Sequence, residues 1–182
     1  MTVPNILTIL RILLTPLLVW LLMGSRLEAA LIVFFVAGIT DGLDGFIARA
    51  FHQKSRLGAF LDPVADKLLL VSSFVLLARI HLIPTWLAII TVSRDVIILL
   101  GVFLFMLNNI SFEIRPSILS KLTTLSQIVT ALVVMSSRIY PDSRAMHKGL
   151  FILTAALTVA SGLHYIYRGF SIWEAHRIEE GL

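Results

Sequence analysis

Apolar runs about as long as a bilayer is thick follow one another along almost the whole chain, and that pattern leaves few folds open. From Ile6 to Met23 the only charge is Arg11, and comparable runs extend from about Leu27 to Arg49, Asp62 to Ala78, Pro84 to Leu107, Ser117 to Ser137 and Gly149 to Tyr167. A helix needs roughly 20 apolar residues to cross the hydrocarbon layer. Inside that layer each segment must satisfy its own backbone polar groups, which a helix does and a lone strand does not. The reading is an all-α integral membrane protein with six transmembrane helices around a polar cavity, forming a single domain over residues 1–182. A mean hydropathy of +0.93 and a charged content of 14% exclude an ordinary soluble domain. The chain has no cysteine, which excludes a disulfide framework or a zinc–thiolate centre. A net charge of +4 is what basic residues flanking membrane spans produce, and calls for no nucleic-acid partner.

Against that background the acidic residues are concentrated in one place. Four of the eleven, Asp41, Asp44, Asp62 and Asp66, fall within twenty-six positions, flanked by segments apolar enough for lipid. An unneutralised carboxylate there costs several kcal/mol, so the cluster needs cations. On helices, Asp41 and Asp44 are spaced i, i+3 and Asp62 and Asp66 i, i+4, so each pair shares a face. Two such helices side by side would converge four carboxylates. Hard oxygen ligands suit Mg²⁺ or Mn²⁺. Gly45 and Gly58 allow a bulky ligand close to the backbone, and Arg49, about one turn beyond Gly45, has the reach for a phosphate. Asp62-Pro63 also reads as a helix cap followed by a first-turn proline, a role compatible with ligation.

The pattern D-x2-D-G-x2-A-R-x8-G-x3-D-x3-D resembles the signature of the CDP-alcohol phosphotransferase family, and Asp41, Asp44, Gly45, Ala48, Arg49, Gly58, Asp62 and Asp66 occupy its fixed positions. The resemblance implies transfer of a substituted phosphoryl group from a CDP-linked donor, commonly CDP-diacylglycerol, to an alcohol, with release of CMP. It implies two divalent ions held by Asp41, Asp44 and Asp62, with Asp66 a shared ligand or the general base for the acceptor hydroxyl. Gly45, Ala48, Arg49 and Gly58 would form the nucleotide pocket, and a homodimer is expected. Asn5, Thr8 and Arg11, at i, i+3 and i+6, resemble the family's Asn-x-x-Thr-x-x-Arg opening and would line the polar end of the cavity. For Arg11 a second reading stays open, a side chain that snorkels to the interface.

For the acceptor, Arg94 and Lys121 are the candidates. They lie on different helices that the topology could bring together, and two desolvated cations favour an anionic glycerol-type alcohol over inositol, ethanolamine or choline. The adjacency of Arg94 and Asp95 is expected to send them to different partners, and the alternative is that Arg94 sits in an internal salt bridge with a neighbouring acid. Around Ser93-Arg94-Asp95 and Ser120-Lys121-Leu122-Thr123 the chain is similar to CMP-forming cardiolipin synthases. Phosphatidylglycerophosphate synthases more often carry Ala-Arg-Glu and Gly-Lys-x-Lys-Thr there. Thr123 in place of a second lysine leans towards phosphatidylglycerol as acceptor, with glycerol-3-phosphate as the alternative.

Two other classes use similar parts. A membrane prenyltransferase holds Mg²⁺-diphosphate with Asp-rich motifs but has no need of the Gly45, Arg49 and Gly58 spacing. A transporter would show repeated halves with interrupted helices, which are not evident here.

The first run lacks a charged leader and a small-residue cleavage site, so it is read as a retained span. Arg49, Lys54, Arg56, Arg115, Lys121, Arg168 and Arg177 on one side, against Arg26, Arg79, Arg138, Arg144 and Lys148 on the other, place the carboxylates at the cytoplasmic face of a bacterial cytoplasmic membrane. Trp20 and Trp86 then mark the far interface and Trp173 the near one. Residues 168–182 read as an interfacial amphipathic tail. His52 reads as a solvated residue of the connector Ala50 to Leu57.

Overall fold

The computed structural model describes the backbone at residues 3–50, 56–108, 117–137, 139 and 144–179, with side chains except at 3–7, 41–50, 56–64, 66, 106, 144–145 and 175–179. Within those residues the chain is all helical: α1 (Val3–Met23), α2 (Leu27–Ala50), α3 (Arg56–Arg79), α4 (Thr85–Leu107), α5 (Ile118–Ser136) and α6 (Arg144–Glu179).

Two corners of the same construction join α1 to α2 and α3 to α4. The Arg26 amide donates to Leu21 O at 2.9 Å and the Leu82 amide to Leu77 O at 2.9 Å, closing the last turn of each helix with a six-residue loop. That closure needs a left-handed residue one place earlier, and Ser25 (φ 54°) and His81 (φ 59°) supply it although neither is glycine. α4 then starts after Pro84, whose carbonyl accepts from the Leu87 amide at 3.0 Å. At α5 the Ser117 hydroxyl caps the Ser120 amide at 3.1 Å.

Each helix packs on its neighbours in a closed order. α1 touches α2 and α3, α3 touches α4, α4 touches α6, α6 touches α5, and α5 returns to α2 while also crossing to α3. Helices α2 and α3 therefore share two supports, α1 and α5.

The interior is divided along the helix axes. Near the two corners it is apolar, with Leu18 and Leu22 of α1, Ala30, Phe34 and Ala37 of α2, Phe74 and Leu77 of α3, and Leu87 of α4 in one buried cluster. Followed away from the corners, the same stripes turn polar: Thr8 and Arg11 on α1, Thr91, Arg94 and Asp95 on α4. The outside is the reverse, with Leu13, Ile32, Leu99, Phe103 and Leu163 among many exposed large apolar side chains. An apolar outside around a polar inside is the arrangement of a membrane protein. Among the described residues three stretches are long and apolar enough to cross a bilayer, Thr85–Phe105, Ile118–Ser136 and Met146–Glu174, and shorter apolar runs cover Thr8–Met23 and Leu27–Thr40.

Two boundaries differ from the sequence reading. α3 begins at Arg56 rather than near Asp62, so Asp62 lies inside the helix and not at its start, and Pro63 falls in its second turn. The last helix runs unbroken through Glu179, so residues 168–179 continue α6 rather than starting a separate element after Tyr167. His52 and the middle of the connector fall outside the described residues.

Candidate active site

On α2 the buried positions Leu27, Ala30, Phe34 and Ala37 advance by three and four residues, the step that keeps positions on one helix face. The next positions in that register are 41 and 44, both on α2 and both aspartate. On α3 the buried positions Ala65, Leu69, Leu70, Ser73, Phe74 and Leu77 extend in the other direction to positions 62 and 66. The acid-bearing positions therefore continue the stripes by which these helices face the bundle interior. They lie roughly three to five turns from the corners, as do Thr8 and Arg11 on α1. Side chains at Asp41, Asp44, Gly45, Ala48, Arg49, Gly58, Asp62 and Asp66, and at Asn5, lie outside the described ones. Among the described side chains no three metal-ligating groups come together.

Thr8 and Arg11 belong to the interior. Both are fully buried, with Arg11 0% exposed. Arg11 therefore does not snorkel to the interface; its side chain is enclosed within the bundle.

Across the bundle a second polar group is fully described. The Arg94 guanidinium donates from Nη1 to Asp95 Oδ1 at 2.7 Å, and from Nη2 to Ser120 Oγ at 2.6 Å and Ser161 Oγ at 2.8 Å. It also lies over the Tyr165 ring, 5.7 Å from its centroid. Lys67 Nζ joins from α3, 2.7 Å from the same Asp95 oxygen. Arg94 and Asp95 are 4% and 3% exposed. Four helices thus meet on one buried cluster with two cations and one carboxylate. The expectation of separate partners for Arg94 and Asp95 gives way to the alternative, an internal salt bridge: adjacent residues leave a helix at different angles, but the long arginine side chain folds back and pairs with its neighbour.

Lys121 is not in that cluster. It is exposed, and Ser120, one residue earlier, reaches Arg94. Thr123 is buried and donates to the carbonyls of Leu119 at 2.8 Å and Leu157 at 3.0 Å. It opens a polar seam between α5 and α6 that the sequence reading passed over. Thr130 and Thr154 share a hydrogen bond of 2.8 Å, Thr154 also donates to Ser126 O at 3.4 Å, and Gln127 Nε2 reaches Thr158 Oγ1 at 3.5 Å. The signal was present, since Thr154, Thr158, Ser161 and Tyr165 recur at helical spacing.

Over most of its length, residues 1–163, the chain fits the CDP-alcohol phosphatidyltransferase family model. The chain belongs to this family. It is 36% identical over 184 residues to a probable cardiolipin synthase (CMP-forming) of Drosophila melanogaster, covering 91% of this chain and 57% of that protein. It is 33% identical over 185 residues to a cardiolipin synthase (CMP-forming) of Homo sapiens, covering 92% and 62%. A CDP-diacylglycerol--glycerol-3-phosphate 3-phosphatidyltransferase of Aquifex aeolicus is 29% identical over 177 residues, covering 94% and 98%. The chain thus spans about three fifths of the length of these two animal relatives. The family works with divalent metal ions, for which the four-carboxylate donor set is chemically suited.

Proposed function

We propose that this protein transfers the phosphatidyl group of CDP-diacylglycerol to a hydroxyl of an anionic glycerol-type acceptor, releasing CMP. The observation that carries the reading is the register of positions 41, 44, 62 and 66 on the interior stripes of α2 and α3, two helices held between the same pair of neighbours. Asp41, Asp44, Asp62 and Asp66 would hold two ions, Mg²⁺ or Mn²⁺. Bound there, the ions supply neutralisation of the diphosphate and of the charge that develops on the leaving CMP.

The protein's own groups do the rest. Gly45, Ala48, Arg49 and Gly58 receive the cytidine diphosphate, with Asn5 and Thr8 lining the same end of the cavity. Asp66 takes the proton of the acceptor hydroxyl as its oxygen bonds to the phosphatidyl phosphorus and the bond to CMP breaks. Its value is positional, because a carboxylate beside cations is a weak base.

Arg94 holds the acceptor's phosphate. Lys121, exposed near the start of α5, would meet an anionic acceptor on its way in rather than inside the cluster. Phosphatidylglycerol, giving cardiolipin, is the favoured acceptor. Lys67, Arg94 and Asp95 together carry one net positive charge, which matches a singly charged phosphodiester better than a phosphomonoester near two negative charges. The position where a second lysine would add charge is Thr123, which is engaged with the α6 backbone. Relatives named for either acceptor support both readings, and glycerol-3-phosphate is the alternative. The site faces the cytoplasm of a bacterial membrane, as the lysine and arginine bias suggests, and the protein acts as a homodimer, as the family resemblance implies.

The test is purified protein with CDP-diacylglycerol and each acceptor in turn, with products identified by mass. Cardiolipin from phosphatidylglycerol is expected. Phosphatidylglycerophosphate from glycerol-3-phosphate, with no cardiolipin, would replace the favoured acceptor by the alternative.

A further inference from the structure

Three buried polar atoms without a hydrogen-bond partner lie on adjacent turns of one stretch of α4: Thr91 Oγ1, Arg94 Nε and Asp95 Oδ2. Thr91 is spaced i, i+3 from Arg94 and i, i+4 from Asp95, so the three residues share a helix face. Thr91 is 0% exposed. Leaving such an atom unpaired is costly, and most buried polar atoms in folded proteins are paired. On one stretch of one helix these atoms are left with hydrogen-bonding capacity that a polar ligand could use.

The chemistry of the atoms says which ligand. A carboxylate oxygen only accepts, a guanidinium nitrogen only donates, and a threonine hydroxyl does either. The occupant must therefore present a donor beside an acceptor. A phosphate alone would face Asp95 as a like charge. A cation would face Lys67 and Arg94, which Asp95 already binds through Oδ1 at 2.7 Å each. A hydroxyl on the carbon next to one that bears an anionic phosphate offers that donor beside an acceptor.

We infer that Thr91, Arg94 and Asp95 form a subsite for the acceptor's glycerol group, in which Asp95 Oδ2 accepts from the secondary, non-reacting hydroxyl while Arg94 Nε donates to the adjoining phosphate. This rests on the transfer reaction proposed above and holds for either acceptor, since both carry that hydroxyl next to the reacting primary one. The location suits the role. Lys67, which Asp95 binds, directly follows Asp66 on α3, so the carboxylate at 95 sits one lysine side chain away from the acid-bearing stretch.

The experiment compares each acceptor with its analogue lacking the secondary hydroxyl, propane-1,3-diol replacing glycerol, in wild type, Asp95→Asn, Asp95→Ala and Thr91→Val. Wild type should favour the hydroxyl-bearing acceptor in kcat/KM by about 10- to 100-fold, the range of a hydrogen bond to a charged group. Asp95→Ala should bring that ratio close to one and Asp95→Asn should shrink it, whatever each variant does to the absolute rate. Equal use of both acceptors by wild type, or a ratio that survives in the Asp95 variants, overturns the subsite. Should Asp95→Ala fail to fold, the wild-type ratio and the Asp95→Asn ratio still decide. Thermal protection of the protein by the two headgroups is read in parallel without turnover. Absence of CMP release with every acceptor would therefore count against the reaction, while the difference in protection would judge the subsite separately.

Discussion

Lys67 on α3 and Asp95 on α4, 28 residues apart in sequence, form an ion pair of 2.7 Å. The same Asp95 oxygen takes Arg94 Nη1 at 2.7 Å, so one carboxylate ties the helix that carries Asp62 and Asp66 to the cationic cluster opposite. Both long side chains are fixed at the depth of the acid-bearing positions.

Removal of that carboxylate leaves two cations facing each other in a buried setting. Asp95→Ala should destabilise the protein by about 3–5 kcal/mol. Lys67→Met should cost clearly less, because Arg94 and Asp95 remain as a neutral pair and Lys67 is partly exposed. Thermal unfolding in detergent checks this; a larger loss for Lys67→Met would show that the pair is held by the lysine instead.

The corners offer a gain. Ser25 and His81 hold left-handed φ values of 54° and 59°, a conformation costing an ordinary residue about 1–2 kcal/mol and glycine almost nothing. Ser25→Gly and His81→Gly should each stabilise the fold, by about 0.5–1 kcal/mol after the added freedom of the unfolded glycine is counted. A lowered unfolding midpoint in either variant would mean that the side chain holds the corner by contacts outweighing the backbone cost.

Hydrogen bonds between membrane helices are individually modest. Thr130→Val, which removes the 2.8 Å bond to Thr154 while Thr154 keeps Ser126 O, should cost about 0.6 kcal/mol, the average for such bonds in a membrane. A loss several times larger would identify the seam as cooperative.

Arg49 follows Gly45 by about one turn on α2, and the proposed reaction gives it the donor. Arg49→Ala should weaken use of CDP-diacylglycerol by about 2–5 kcal/mol, the cost of breaking a buried charged pair. An effect seen only in the dependence on acceptor concentration would move Arg49 to the other substrate.

Much of the architecture was legible because membrane burial writes itself as long apolar runs, and the acid positions because i, i+3 and i, i+4 spacings survive into α2 and α3 unchanged. The failures have separate physical causes. Asp62-Pro63 resembles a helix start, yet α3 already has its first turn formed from Arg56, since nothing in Arg56-Leu57-Gly58-Ala59 prevents a helix. The amphipathic residues after Tyr167 resemble a separate tail, but without a glycine or proline to interrupt it beyond Gly169 the helix continues to Glu179. Pairing of Arg94 with Asp95 stood only as the alternative because spacing rules describe where side chains leave a helix and not how far an arginine can fold back. Ser120 rather than Lys121 faces Arg94 for a rotational reason: one residue turns the helix by about 100°, and charge alone does not reveal which of two neighbours points inward.

In the proposed reaction the carboxylates of α2 and α3 drive transfer from CDP-diacylglycerol. The most direct measurement is CMP release by the purified protein, quantified against lipid product, with added Mg²⁺ or Mn²⁺, with excess chelator, and in Asp44→Asn. The account predicts one CMP per phosphatidyl group transferred, no release in chelator, and a loss of several orders of magnitude in Asp44→Asn while the protein remains folded in the membrane. Full CMP release in excess chelator, or undiminished turnover in Asp44→Asn, would contradict it.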